Sequence, residues 1–122
     1  MKVVNERHFD DFSLYFLSTN PPSPPSNKDE AQKYTMSLFN PILELTHNHG
    51  TENDETFQHY NGNENGRQGF GHVGFLVDDV YQACDGLRPM GYGFRKEPDG
   101  GNMKGLAFAY DPDGYSVEII KR

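Results

Sequence analysis

A single cysteine, Cys84, stands in a chain of 122 residues. It has no partner for an internal disulfide, and a fold without one suits a reducing compartment. No apolar run approaches the roughly 20 residues that a membrane-spanning helix needs. The first residues do not show the basic-then-apolar pattern of a signal peptide. The expectation is a cytoplasmic protein with no membrane partner. Positive charge is also scarce. Eleven Lys and Arg face 18 Asp and Glu, for a net charge of −7, which argues against nucleic acid as a partner. A small anionic ligand stays open, because local charge decides that. At 34% hydrophobic residues the chain can fill a modest core, as one domain or a pair of small modules.

What is present is alternation. Phe12, Leu14 and Phe16 in "FSLYFLS" share one face of a strand, opposite Ser13, Tyr15 and Leu17. "KVVNERHF" before it and "NPILELTHN" (40–48) after it read as strands too, the latter with Ile42, Glu44 and Thr46 on one face. "TNPPSPPSNKDE" (19–30) carries four prolines and reads as an extended, solvated loop. The Gly- and Asn-rich stretch after His49 has no periodicity and reads as a second long loop.

From Phe70 the pattern tightens. "FGHVGFLV" reads as a strand with His72, Gly74 and Leu76 on one face and Val73, Phe75 and Val77 on the other. "DDVYQACDGLRPMG" reads as a helix capped by Asp78 or Asp79 and ended by Gly91. Its buried stripe is Val80, Ala83, Cys84 and Leu87, with Gly86 and Pro89 weakening the last turns. "YGFRK", "KGLAFAY" and "GYSVEIIK" follow as strands, the last two joined through the turn "DPDG". The order β-α-β-β-β makes one unit.

The three front strands match the last three of that unit. "ILELT" aligns with "SVEII", so Glu44 and Glu118 take equivalent positions in an internal repeat. The fold class is therefore α+β, paired β-α-β-β-β modules with the front one incomplete. Residues 1–50 form the partial front module, 51–69 a linker loop and 70–122 the complete back module. The front copy lacks its opening strand and helix, as though the chain began mid-module.

Glu44, His72 and Glu118 stand mid-strand among apolar neighbours. A carboxylate in an apolar strand must be solvated, paired or metal-bound. One His with carboxylates suits a divalent ion of the zinc, nickel, iron or manganese type. The bland alternatives are a solvent-facing Glu and a hydrogen-bonded structural His; two glutamates at one repeat register weigh against them. Cys84 reads as core. His47, His49 and His59 read as solvated loop histidines. Arg95, Lys96 and Lys104 bracket the turn "EPDGGNM" as a solvated face or an anion clamp.

"FSLYFL", "LELTHNHGTENDE", "YNGNENGRQGFGHVGF", "DVYQAC", "MKGLAF" and "DPDGYSVEII" together resemble glyoxalase I, the lactoylglutathione lyases of the vicinal oxygen chelate superfamily, over nearly the whole chain. The resemblance implies an N-terminally truncated member of that family. It implies isomerisation of the methylglyoxal–glutathione hemithioacetal to S-D-lactoylglutathione, one divalent metal per site (zinc first, nickel second) and a homodimer. Glu44, His72 and Glu118 match three of the family's four metal ligands, and Glu118 its main base. Asn48, Lys96 and Gly101 match glutathione contacts, with Arg67 and Lys104 beside them. Leu14, Phe16, Met103, Leu106 and Phe108 match the pocket for the substrate's apolar end. Gln68 and Asn102 stand where the family has arginine and lysine. The rival expectation is a binding protein of the same fold without turnover.

Overall fold

The computed structural model describes residues 1–19 and 27–122. Two compact units divide it, Met1–Phe57 and Gln58–Arg122. The prolines of the expected Pro-rich loop lie outside the described residues.

In the first unit, β1 (Lys2–His8), β2 (Phe12–Ser18) and β3 (Leu43–Asn48) make an antiparallel sheet in that order. The three expected strands are all present. Between β2 and β3 runs α1 (Lys28–Ser37). Lys28, Asp29 and Glu30, expected in a loop, form its first turn instead. Asn27 caps it, its side chain accepting from the Glu30 amide at 2.9 Å. Acidic Asp29 and Glu30 then sit at the positive end of the helix dipole. Its stripe is too polar to stand out by periodicity: the buried residues are Ala31 and Thr35.

In the second unit, β4 (His72–Val77), β5 (Phe94–Lys96), β6 (Leu106–Tyr110) and β7 (Ser116–Lys121) form one sheet in the order β4-β7-β6-β5. β4 lies parallel to β7 and the other pairs are antiparallel. A parallel neighbour needs a crossover, and α2 (Val80–Leu87) supplies it. Asp79 caps α2 by accepting from the Gln82 amide at 3.0 Å. After Leu87 a 3-10 turn over Arg88–Met90 takes up Pro89, and Gly91 at φ 87° ends it. Val80, Cys84, Ala107, Ala109 and Ile119 make the buried core, with Val77, Ala83, Leu87 and Phe94 packed on it. Cys84 is fully covered, and burial pushes its thiol pKa up.

The two antiparallel meanders share a register. Leu17 pairs with Val3 and Leu43, and Phe16 with Asn5 and Glu44. Ala109 pairs with Phe94 and Val117, and Phe108 with Lys96 and Glu118. Both first strands carry their irregularity at the same step, Val3/Asn5 and Phe94/Lys96. Glu44 and Glu118 are thus equivalent by hydrogen-bonded pairing as well as by sequence.

Candidate functional site

β7 turns out of the tight bend at Asp111–Gly114. The Asp111 carboxylate accepts from the amides of Asp113 and Tyr115 at 3.0 and 2.8 Å, and Gly114 takes φ 83°. This fixes the phase of the strand, so Val117 and Ile119 turn to the α2 side and Glu118 to the other. There Glu118 lies beside Gly74 on β4, with Ser116 beside His72. His72 Nε2 stands 3.6 Å from Glu118 Oε2, the two side chains being 41% and 23% exposed. The pair is therefore solvent-accessible but partly sheltered.

Gly74 makes that approach feasible. A Cβ there would meet Glu118 Oε2 at 3.2 Å. A glycine inside a strand marks a place where something comes close, and at Gly74 that neighbour is Glu118. Phe108, opposite Glu118 on β6, meets the His72 ring edge-on at 5.2 Å. Arg95 lies over the Phe108 ring at 5.8 Å and reaches Ser116 Oγ at 3.5 Å and Asn63 Oδ1 at 3.4 Å. Arg95, Phe108, His72 and Glu118 thus surround one patch of the open sheet face.

The other expected residues of this unit lie on β5, β6 and the loops beside them. Leu106 is half-buried on β6, while Met103 is 62% exposed on the turn that leads into that strand. The glycine-rich turn 97–105 is held by Gly105 donating to the Pro98 carbonyl at 2.9 Å, and Gly101 takes φ 62°. Tyr81 of α2 donates to Asp99 at 2.9 Å, and that bond raises the tyrosine's pKa. Lys96 Nζ donates to the Leu106 carbonyl at 2.6 Å, and Lys104 to the Asp99 carbonyl. Arg67 pairs with Glu64 at 2.8 Å and lies over the Tyr60 ring at 5.0 Å. Lys96, Lys104 and Arg67 are therefore satisfied by the chain itself, and a ligand anion would have to compete for them.

In the first unit Leu14 and Phe16 are half-buried on the Glu44 face of β2, paired with Thr46 and Glu44. Asn48 closes β3 opposite Phe12, its carbonyl accepting from Thr51 Oγ1 at 2.8 Å. The loop histidines are less free than expected. His47 is part of β3 and lies 2.9 Å from Glu52, whose pKa it lowers first of all through that hydrogen bond. His49 is bonded to buried Ser13 at 2.8 Å. His59 lies 3.9 Å from Asp113.

Among the described residues, no three His, Cys, Asp or Glu side chains converge on one point. What assembles is a donor pair. An imidazole and a carboxylate with a glycine-made gap beside them fit a divalent cation by ligand type.

The family model described as Glyoxalase/Bleomycin resistance protein/Dioxygenase superfamily matches residues 18–119. The chain belongs to that superfamily. Within it, the chain is 43% identical over 122 residues to the lactoylglutathione lyase of Pseudomonas putida, covering 98% of this chain and 70% of that one. It is 41% identical over 122 residues to glyoxalase I of Saccharomyces cerevisiae, spanning 98% of itself but 37% of the yeast protein. Among solved structures, the trypanothione-dependent glyoxalase I of Leishmania major superposes with a TM-score of 0.64 at 25% identity, covering 98% of this chain and 68% of that one. Glyoxalase I of Zea mays gives 0.66 at 28% identity, over 99% of this chain and 36% of the maize chain. Family and fold therefore agree with the β-α-β-β-β pattern read from the sequence. Among the described residues no helix is long and apolar enough to cross a membrane.

Proposed function

We propose that this member of the lactoylglutathione lyase family isomerises the hemithioacetal of methylglyoxal and glutathione to S-D-lactoylglutathione. The observation that carries the reading is the His72–Glu118 pair, 3.6 Å apart on adjacent parallel strands beside Gly74. His72 and Glu118 would hold a divalent metal, zinc before nickel. Glu44 is the third ligand on register alone, since Phe16 faces it as Phe108 faces Glu118. A metal so held would act as a Lewis acid toward the substrate's oxygens and make the carbon-bound proton more acidic.

The residues of this chain do the rest. Glu118 takes the proton from one carbon and returns it to the next, so no oxidant or reductant is consumed. Its backbone is fixed by pairing on both sides, to β4 and to β6, which keeps the carboxylate in one place. Phe108 and Leu106 form an apolar border against water, and the family resemblance assigns Leu14, Phe16 and Met103 to the substrate's apolar end as well. Asn48, Arg67, Lys96, Gly101 and Lys104 bind the glutathione part, its carboxylates exchanging for the carbonyl and carboxylate partners that the cations now have. The reading includes a homodimer and a cytoplasmic setting; Cys84, single and buried, fits a reducing compartment.

The test is turnover of the metal-loaded full chain on methylglyoxal with glutathione, read as formation of the lactoyl thioester. His72→Ala should lose bound metal and turnover together. A metal-loaded wild-type chain that binds glutathione conjugates without forming product would sink the reading in favour of a binding protein.

A further inference from the structure

The loop that leads into β4 holds two Asn-Gly pairs, Asn61–Gly62 and Asn65–Gly66. Such a pair can react with itself. The glycine nitrogen, once it gives up its hydrogen, attacks the asparagine Cγ. A cyclic imide closes and the Cγ–Nδ2 bond breaks, the side-chain nitrogen leaving as ammonia with that hydrogen. Water then opens the ring at either carbonyl, to aspartate or to isoaspartate. On balance water enters and ammonia leaves, and nothing is oxidised or reduced. Glycine favours the step because no Cβ shields its nitrogen. By sequence alone the two pairs are equally exposed to this chemistry.

The fold separates them. Both ends of the Asn61 side chain are engaged: Nδ2 donates to the Gly114 carbonyl at 3.2 Å, and Oδ1 accepts from the Asn63 amide at 3.0 Å and from Asn63 Nδ2 at 3.2 Å. The attacking nitrogen is engaged as well, since the Gly62 amide donates to the Phe70 carbonyl at 3.2 Å. A Cβ on Gly62 would stand 2.5 Å from that carbonyl oxygen, so main chain is packed hard against the place. Asn65 and Gly66 are exposed. They are the central residues of a turn that the Arg67 amide closes on the Glu64 carbonyl at 3.0 Å, with Gly66 at φ 80°. Among the described residues neither the Asn65 side chain nor the Gly66 amide has a hydrogen-bond partner. A Cβ on Gly66 would meet nothing within 4 Å. We propose that Asn65 is a self-modification site, deamidated through the Gly66 nitrogen in the folded protein, while the fold shields Asn61.

The product alters a charged turn. Arg67 Nη1 already holds Glu64 at 2.8 Å, and its guanidinium lies over the Tyr60 ring at 5.0 Å. A carboxylate at position 65 adds a second anion within two residues of the same cation. Isoaspartate also routes the main chain through Cβ, which lengthens the turn between the Glu64 carbonyl and the Arg67 amide. At Asn61 the same change would cost the bond to Gly114, because a carboxylate has no hydrogen to donate there. The shielded pair is thus the one that ties the loop to the turn before β7, and the open pair is the one whose side chain ties nothing. This inference stands whether or not the chain turns over hemithioacetal.

The test is to age the full chain near neutral pH, folded in buffer and unfolded in guanidinium, and to follow each site by peptide mass spectrometry. The exchange of NH for O marks a converted residue, and separation of the peptides resolves aspartate from isoaspartate. In the unfolded chain both pairs should convert at similar rates. In the folded chain Asn65 should convert at least about tenfold faster than Asn61, since several hydrogen bonds must open together before Asn61 can react. Asn65→Gln, whose longer side chain closes the ring poorly, should remove most of the ammonia that the folded chain releases. Three results would each overturn the proposal: an Asn65 that stays intact when folded while the unfolded chain converts, an Asn61 that converts first, or a ratio of the two rates that is the same folded and unfolded.

Discussion

In the second unit α2 lays Val80 and Cys84 against Ala107, Ala109 and Ile119. In the first, α1 lays Ala31 and Thr35 beside β1, where Val4 and Asn5 are buried. The strands follow one register in both, down to the position of the irregularity in β1 and β5. Their fillings differ. One sheet is backed by an apolar helix, the other by a polar helix and a row of buried Asn and Ser side chains. Backbone pairing is thus the durable part of the repeat, and the core is what each copy fills in its own way. The functional consequence is that a glutamate can recur at one address on two sheets whose interiors have little in common. On β7 that glutamate has His72 within 3.6 Å through a parallel neighbour; β3 is the edge of its described sheet.

The sharpest way to break the comparison is to neutralise each glutamate in turn. Under the proposed function Glu118→Gln removes the proton acceptor and should lower kcat about 10²- to 10⁴-fold, the usual span for a lost general base. Under the same proposal Glu44→Gln removes a ligand but no base. At saturating metal it should retain kcat far better, its loss appearing as a higher metal requirement. Steady-state rates across a metal titration separate the two. Equal losses of kcat at saturating metal would mean that the pair acts symmetrically and that Glu118 is no special base.

The sequence made much of this legible because the strands alternate strongly and end in glycine or Asp-Gly turns. Glu44, His72 and Glu118 each announced themselves as polar residues breaking an apolar pattern, and α2 showed a clean stripe from Val80 to Leu87. α1 was missed for the converse reason. With Ala31 and Thr35 as its buried residues it has almost no apolar periodicity, and its Asn27 cap follows directly on the Ser/Pro stretch. The bond His49 makes was not legible because its partner, Ser13, is 36 residues away in the chain. No local pattern carries a contact across that separation. Gly74 shows a third kind of blindness: its meaning is the space it leaves for Glu118, and that space exists only once β4 and β7 are paired.

The second contrast is energetic. Ile119 is 6% exposed inside the larger core, and Val4 is 3% exposed in the smaller one. Ile119→Ala should cost about 2–5 kcal/mol, transfer and cavity terms together. Val4→Ala removes less apolar volume and should cost about 1.5 kcal/mol. Chemical denaturation followed by probes in each unit checks both values. A Val4→Ala cost matching that of Ile119→Ala would show that the first unit relies on apolar packing as much as the second, despite its polar interior.

The smallest effect concerns the helix caps, which the two units share almost atom for atom. Asn27 accepts from the Glu30 amide at 2.9 Å, and Asp79 from the Gln82 amide at 3.0 Å. Replacing either by alanine leaves that amide without its side-chain partner and should cost about 1 kcal/mol of helix stability. The readout should nevertheless differ. α2 carries Val80 and Cys84 into the core, so fraying it uncovers apolar surface, and the cost of Asp79→Ala should appear in the unfolding midpoint of the second unit. α1 covers little apolar surface, so it can fray while the sheet stays paired. Asn27→Ala should therefore speed amide exchange in the first turns of α1 and leave the protection of β1 and β2 nearly unchanged. If Asn27→Ala instead lowers protection across β1 and β2 as well, α1 is bound to its sheet as tightly as α2, and the contrast between the two interiors carries no difference in cooperativity.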